Sequence, residues 1–166
     1  MRLKFFALRF ALALLAGLPL FGQVPPKPEV SATTVVFVCE HGAAKSVIAA
    51  AYFNKLATSQ GLPYNAVARG TKPDPEVPAT IRTDLTSRGL SVPAARPQAV
   101  TDEEIHRAAK VVSMATDLPA TKPAASLKLV EWNSIPSVGQ DYDAARKSIA
   151  EQVEELVKSL ASQKKN

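Results

Sequence analysis

Val35-Val36-Phe37-Val38-Cys39-Glu40-His41-Gly42-Ala43-Ala44-Lys45-Ser46, in one-letter form VVFVCEHGAAKS, decides how the rest of this chain is read. The apolar, β-branched run begins at Thr34 and has no polar interruption. It predicts a strand buried on both faces, as strands of a parallel sheet are. The run ends on Cys39, the single cysteine among 166 residues. From Ser46 onward, Val47, Ile48, Ala51, Tyr52 and Leu56 recur at three- and four-residue spacings, which predicts a helix that stops near Gly61. The loop between strand and helix therefore aims backbone N–H groups and a helix N-terminus at one point, an arrangement that binds anions. Gly42, Ala43 and Ala44 let the backbone curl there with little steric cost.

A lone cysteine is often a small buried hydrophobe. Here the glycine-containing loop, Lys45 six residues on, the adjacent Ser46 and the following helix together favour a nucleophile. The positive helix end and the lysine favour thiolate over thiol, and the Ser46 hydroxyl is placed to donate to sulfur. A nucleotide-binding G-K-[ST] loop is excluded, because Ala44 precedes the lysine and Cys39 stands where the first glycine belongs. Two histidines and one cysteine at no ligand-like spacing predict neither a metal site nor a cofactor. His106 falls on a short charged helix and reads as solvated. His41 reads as a brace for the loop or as solvent-facing.

Working outward, residues 64–68 predict a second strand. Pro73 and Pro75 mark a loop. Pro78 opens a helix that carries Ile81 and Leu85 and ends at Gly89. Thr101-Asp102-Glu103-Glu104 is a capping box, followed by a short helix. Residues 110–115 and 127–132 predict the third and fourth strands. Tyr142, Ala145, Ile149, Val153, Leu156 and Leu160 form the apolar stripe of a long last helix. Strands alternating with helices imply a single α/β domain: a four-stranded parallel sheet with helices on both faces, over residues 34–162.

The first 22 residues read differently. Arg2, Lys4 and Arg9 precede and flank a short apolar core, and Pro19 and Gly22 follow. That is the pattern of a secretory signal peptide cut after Gly22, and the apolar run is too short to span a bilayer. Residues 23–33, rich in proline, read as an extended tether. The expected protein is exported, periplasmic or secreted, with no stable membrane insertion once the leader is removed. Three of the 20 basic residues and none of the 15 acidic ones lie in the leader, so the mature charge is +2 rather than +5. No basic stripe with interleaved aromatics appears, and nucleic acid is not an expected partner.

The segment from Cys39 to Ser46 resembles the C-x5-R-S signature of the low-molecular-weight protein tyrosine phosphatases, and of the arsenate reductases that share their fold. His41 matches a version common among the reductase-like members. Ala68-Arg69-Gly70-Thr71 resembles the family's S-A-G-T, and Arg96-Pro97 its R-P segment. Residues 111–114 with Asp117, and residues 132–136 with the last helix, resemble its later parts. The resemblance implies the phosphotyrosine phosphatase I-like fold. It also implies hydrolysis of phosphomonoesters, with Cys39 attacking phosphorus to give a phosphocysteine. The backbone N–H groups of Glu40, His41, Gly42, Ala43, Ala44 and Lys45 would hold the phosphate oxygens, with the Lys45 cation. Ser46 would ease the departure of sulfur.

The chain departs from the family at three places. Lys45 replaces an arginine whose planar fork binds two phosphoryl oxygens at once; an ammonium is a point charge, so anion binding should survive better than catalysis. Gly42 replaces an asparagine that braces the loop. Ser137 aligns with the aspartate of the family's D-P general acid; Asp141 and Asp143 lie a few residues on and could replace it through a shifted loop, Asp141 being the candidate, although an acidic residue there also reads as a helix cap. Two other functions follow from the same site: an arsenate reductase using an external thiol, since one cysteine cannot run an internal disulfide relay, and a module that binds phosphate or another oxyanion without turnover.

Overall fold

The computed structural model describes residues 31, 33–93, 96–118 and 128–163. The expected leader lies outside the described residues, as does all of the expected tether except Ser31 and Thr33. In chain order the elements are β1 (Thr34–Cys39), α1 (Lys45–Ser59), β2 (Asn65–Gly70), α2 (Ala79–Ser87), α3 (Asp102–Arg107), β3 (Lys110–Ser113), β4 (Leu129–Glu131) and α4 (Tyr142–Gln163). The four strands form one all-parallel sheet in the order β2-β1-β3-β4. The expected α/β architecture is the observed one.

β1 lies at the centre of this sheet, and all six of its residues are buried. Val35, Phe37 and Cys39 face one hydrophobic core, and Val36 and Val38 face another. Burial on both faces is why the strand reads as an unbroken apolar run. The first core holds α1, α2 and α4; the second holds Ile105 of α3. Phe37 anchors the first, edge-on to Phe53 with ring centroids 5.8 Å apart and tilted against Trp132 at 5.6 Å.

The last helix buries Ala145, Ile149, Val153, Leu156 and Leu160, as its stripe predicts, while Tyr142 is half-buried. α1 differs from expectation. It is buried all round its first half, from Ser46 to Ala51, because it lies between the sheet and α4. A strand expected over 110–115 stops at Ser113, since Ala115 takes φ 50° and leaves the extended conformation. β2 ends later than expected, at Gly70. Residue 127, expected in the fourth strand, lies outside the described residues.

The connection leaving β1 leads to β2 on one side and the connection leaving β3 leads to β4 on the other, so the loops at the carboxyl ends of β1 and β3 diverge. In open parallel sheets that switch point opens a crevice for ligands. Among the described residues no helix is long and apolar enough to cross a membrane.

Candidate active site

The crevice at the switch point is a cavity of about 330 Å³. Cys39 closes its base from the end of β1. Glu40, His41, Ala44 and Lys45 line it from the following loop, Met114 and Ala115 from the loop after β3, and Ser137, Val138 and Gly139 from the loop after β4. A larger cavity of about 520 Å³ adjoins it, sharing Ala44, Val138 and Gly139 and reaching Pro78, Ile81 and Tyr142.

The cysteine loop is shaped by close backbone contact. Gly42 sits at φ +62°, and a Cβ there would come within 2.8 Å of the Gly70 amide nitrogen. A Cβ on Gly70 would meet the Gly42 nitrogen at the same distance. Two glycines are thus needed where the loop crosses the end of β2. The carbonyls of Cys39, Glu40 and His41 accept from the amides of Thr71, Lys72 and Asp74 at 3.1, 2.7 and 3.0 Å. These bonds engage three carbonyls whose oxygens would repel an anion. Conversely, the amides of Gly42, Ala43 and Ala44 donate to no partner among the described residues. Buried or half-buried backbone donors without a partner are uncommon in folded proteins.

The helix behind them adds to this. α1 starts at Lys45 after Ala44, which offers no capping side chain, and no acidic residue stands in its first turn. The positive end of a 15-residue helix is therefore left for an anion. Cys39 Sγ and Ser46 Oγ are hydrogen bonded at 3.3 Å, both buried. The thiol donates when protonated; the hydroxyl donates to the thiolate. Lys45 Nζ donates to the Ile135 carbonyl at 3.4 Å, which ties the helix start to the loop after β4. Of the residues named from the sequence, Cys39, Glu40, His41, Ala44 and Lys45 line one cavity and Ser46 is bonded to the sulfur, while Gly42 and Ala43 do not line it.

Asp141 stands apart. Its Oδ1 accepts from the Ala144 amide at 2.9 Å, so it caps α4, and it does not line the cavity. The exposed Ser137 does line it. Gly70 lay within a segment already matched to the family, but its pairing with Gly42 depends on the β1–β2 register. Met114 also lay within a matched segment, but Ala115, Val138 and Gly139 carried no signal, and only the topology brings all four to the Cys39 cavity. Neighbouring Arg69 is no substitute for the missing arginine. It is fully buried on the opposite face, where its Nη2 and Nε meet Glu104 Oε1 at 2.9 and 3.0 Å. Glu104 also closes the expected capping box, accepting from the Thr101 amide.

Residues 34–128 match the family model of the low molecular weight phosphotyrosine protein phosphatase. The chain belongs to this family. No curated protein matches it. Among solved structures, it is similar to the arsenate reductase of Archaeoglobus fulgidus, at 28% identity over 74% of this chain and 98% of that one, with a TM-score of 0.59. A thioredoxin-dependent arsenate reductase of Corynebacterium glutamicum is 23% identical, with a TM-score of 0.67 over 82% of this chain; the match spans 64% of that longer protein. The protein tyrosine phosphatase of Entamoeba histolytica, 17% identical, superposes with a TM-score of 0.70 over 80% of this chain and 99% of that one. The last two likenesses concern the fold alone.

Proposed function

We propose that this member of the family is an exported phosphomonoester hydrolase working through a phosphocysteine. The observation that carries the proposal is that Cys39 and Lys45 line one cavity beside an uncapped helix start and loop amides that have no partner among the described residues. Cys39 Sγ attacks phosphorus. The loop amides and Lys45 neutralise the non-bridging oxygens, and Ser46 donates to sulfur when water displaces it. The adjoining apolar cavity gives room for the organic part of the ester. Residues 1–22 direct export, and the mature chain begins at Gln23; N-terminal sequencing of the exported protein checks the cut.

The test pairs turnover with protection. The protein hydrolyses nitrophenyl phosphate, Cys39→Ser reduces the rate to background, and inorganic phosphate slows alkylation of Cys39 by iodoacetamide. Phosphate protection without turnover replaces the hydrolase by an oxyanion-binding module. Absence of both overturns the site.

The 28% identity to an arsenate reductase favours a second reading. With one cysteine in the chain, arsenate reduction would draw both electrons from two external thiols, which leave as a disulfide. Arsenate-dependent oxidation of added glutathione is its measurement.

A further inference from the structure

We propose that His41, held by Asp74, is the general acid that protonates the leaving oxygen. The inference rests on the hydrolase reading above. It starts from what the walls of the cysteine cavity can offer. Asp141 caps α4, and Asp143 pairs with Arg146; neither lines the cavity. The loop after β4 contributes Ser137, Val138 and Gly139, and an alcohol is too weak an acid for the task. Lys45 is committed as a cation to the phosphoryl oxygens. Among the described residues that line the cavity, Glu40 and His41 remain.

Their surroundings separate the two. Glu40 Oε1 accepts from Lys72 Nζ at 3.3 Å, and an accepting carboxylate has no proton to give. His41 Nδ1 lies 3.1 Å from Asp74 Oδ1, and the His41 carbonyl accepts from the Asp74 amide at 3.0 Å. The ring is thus held at one nitrogen by a carboxylate, which orients it. Nε2 is the nitrogen left to deliver a proton, with Glu40 Oε2 at 3.8 Å as its other charged neighbour. The groups facing this imidazole are Asp74 and Glu40, with Lys72 behind Glu40.

The proton balance closes. As the S–P bond forms, the ester P–O bond breaks, and its electron pair goes to the leaving oxygen, which takes the proton from Nε2. Neutral His41 then accepts a proton from the water whose oxygen attacks phosphorus. The S–P electron pair returns to sulfur, and inorganic phosphate departs.

A general acid matters most where the leaving group is most basic, which a merely structural residue cannot imitate. The experiment measures kcat/KM of the full chain on nitrophenyl, phenyl and benzyl phosphate, for the wild type, His41→Asn, Asp74→Asn and Glu40→Gln. His41→Asn should cost about 10²- to 10⁴-fold on phenyl and benzyl phosphate, and about tenfold or less on nitrophenyl phosphate. Asp74→Asn should show the same trend with smaller factors. Phosphate protection of Cys39 in His41→Asn reports that the fold and cradle remain. Equal losses on all three esters overturn the assignment and leave the hydrolase intact. So does a leaving-group-dependent loss confined to Glu40→Gln. A wild type inactive on nitrophenyl phosphate removes the hydrolase reading and this one together.

Discussion

Replacing Gly42 by alanine separates two costs that are usually confounded. The residue has φ +62°, and so, at +61°, does Gly61. An L-residue in this left-handed region costs about 1–2 kcal/mol. Alanine also restricts the unfolded chain, which returns about 0.4–1 kcal/mol. Both contributions are common to Gly42→Ala and Gly61→Ala. At Gly61 nothing lies within 4 Å of the added Cβ, so its net loss should stay near about 1 kcal/mol. At Gly42 the Cβ meets Gly70 N at 2.8 Å, Gly70 Cα at 3.0 Å and the Arg69 carbonyl carbon at 3.1 Å. These are backbone atoms of a strand paired along its length with β1, and the Gly70 amide also donates to the Gln98 carbonyl. They cannot step aside as a side chain would, so overpacking adds about 1–3 kcal/mol. The two variants should therefore differ by about that amount. With a urea m-value of about 1–3 kcal/mol per molar, Gly42→Ala should unfold at a midpoint about 1 M below Gly61→Ala. If the loop instead slides off β2 to relieve the clash, phosphate protection of Cys39 is lost in Gly42→Ala and kept in Gly61→Ala. Midpoints within about 0.2 M of each other, with protection intact in both, would refute the close-contact reasoning.

Two further perturbations test charged groups that do not line the Cys39 cavity. Arg69→Ala removes the guanidinium from the buried Glu104 carboxylate and should cost about 3–5 kcal/mol in urea unfolding, while phosphate still protects Cys39 in the folded fraction; a loss under 1 kcal/mol would count against a structural role for the pair. Asp84 accepts from Arg88 Nε and from Tyr142 Oη, and the Arg88 hydrogen bond first of all holds its carboxyl below the usual range; burial first, and then the hydrogen bond it donates to Asp84, push the Tyr142 hydroxyl up. A depressed carboxylate stabilises the fold above its unfolded pKa and ceases to do so as pH falls through the folded one. The urea midpoint gap between wild type and Asp84→Asn should thus be widest at pH 7 and shrink below about pH 4; a gap that is the same at pH 7 and pH 3 speaks against the pairing.

How much of this was legible in the sequence follows from how local each feature is. The cradle from Cys39 to Lys45 is one continuous segment between a strand and a helix, so spacing alone located it. The capping box at Thr101 was equally visible, because its two partners are three residues apart. The second task of Glu104 was not, since Arg69 is 35 residues away and the pairing depends on how α3 lies against β2. The same holds for Asp74 beside His41 and for Met114 and Ser137 across from Cys39. Their separations in sequence carry no period, and only the strand order β2-β1-β3-β4 brings them together. α1 shows a subtler limit. Its stripe of apolar residues was evident, but small residues such as Ala49 and Ala50 carry little hydrophobic signal, and their burial comes from α4 covering the helix.

The two banks of the crevice are fastened unequally. On one side, three main-chain bonds stitch residues 39–41 to residues 71–74, and two glycines touch beneath them. On the other, among the described residues, the hydrogen bond from the cradle to the loop after β4 is that of one ammonium resting on the Ile135 carbonyl. A dianion that recruits this ammonium draws it from that carbonyl, so occupancy of the cradle and slack in the far bank rise together. Sequence drift at 137–139 can then widen or narrow the mouth while the sulfur and its amides keep their places.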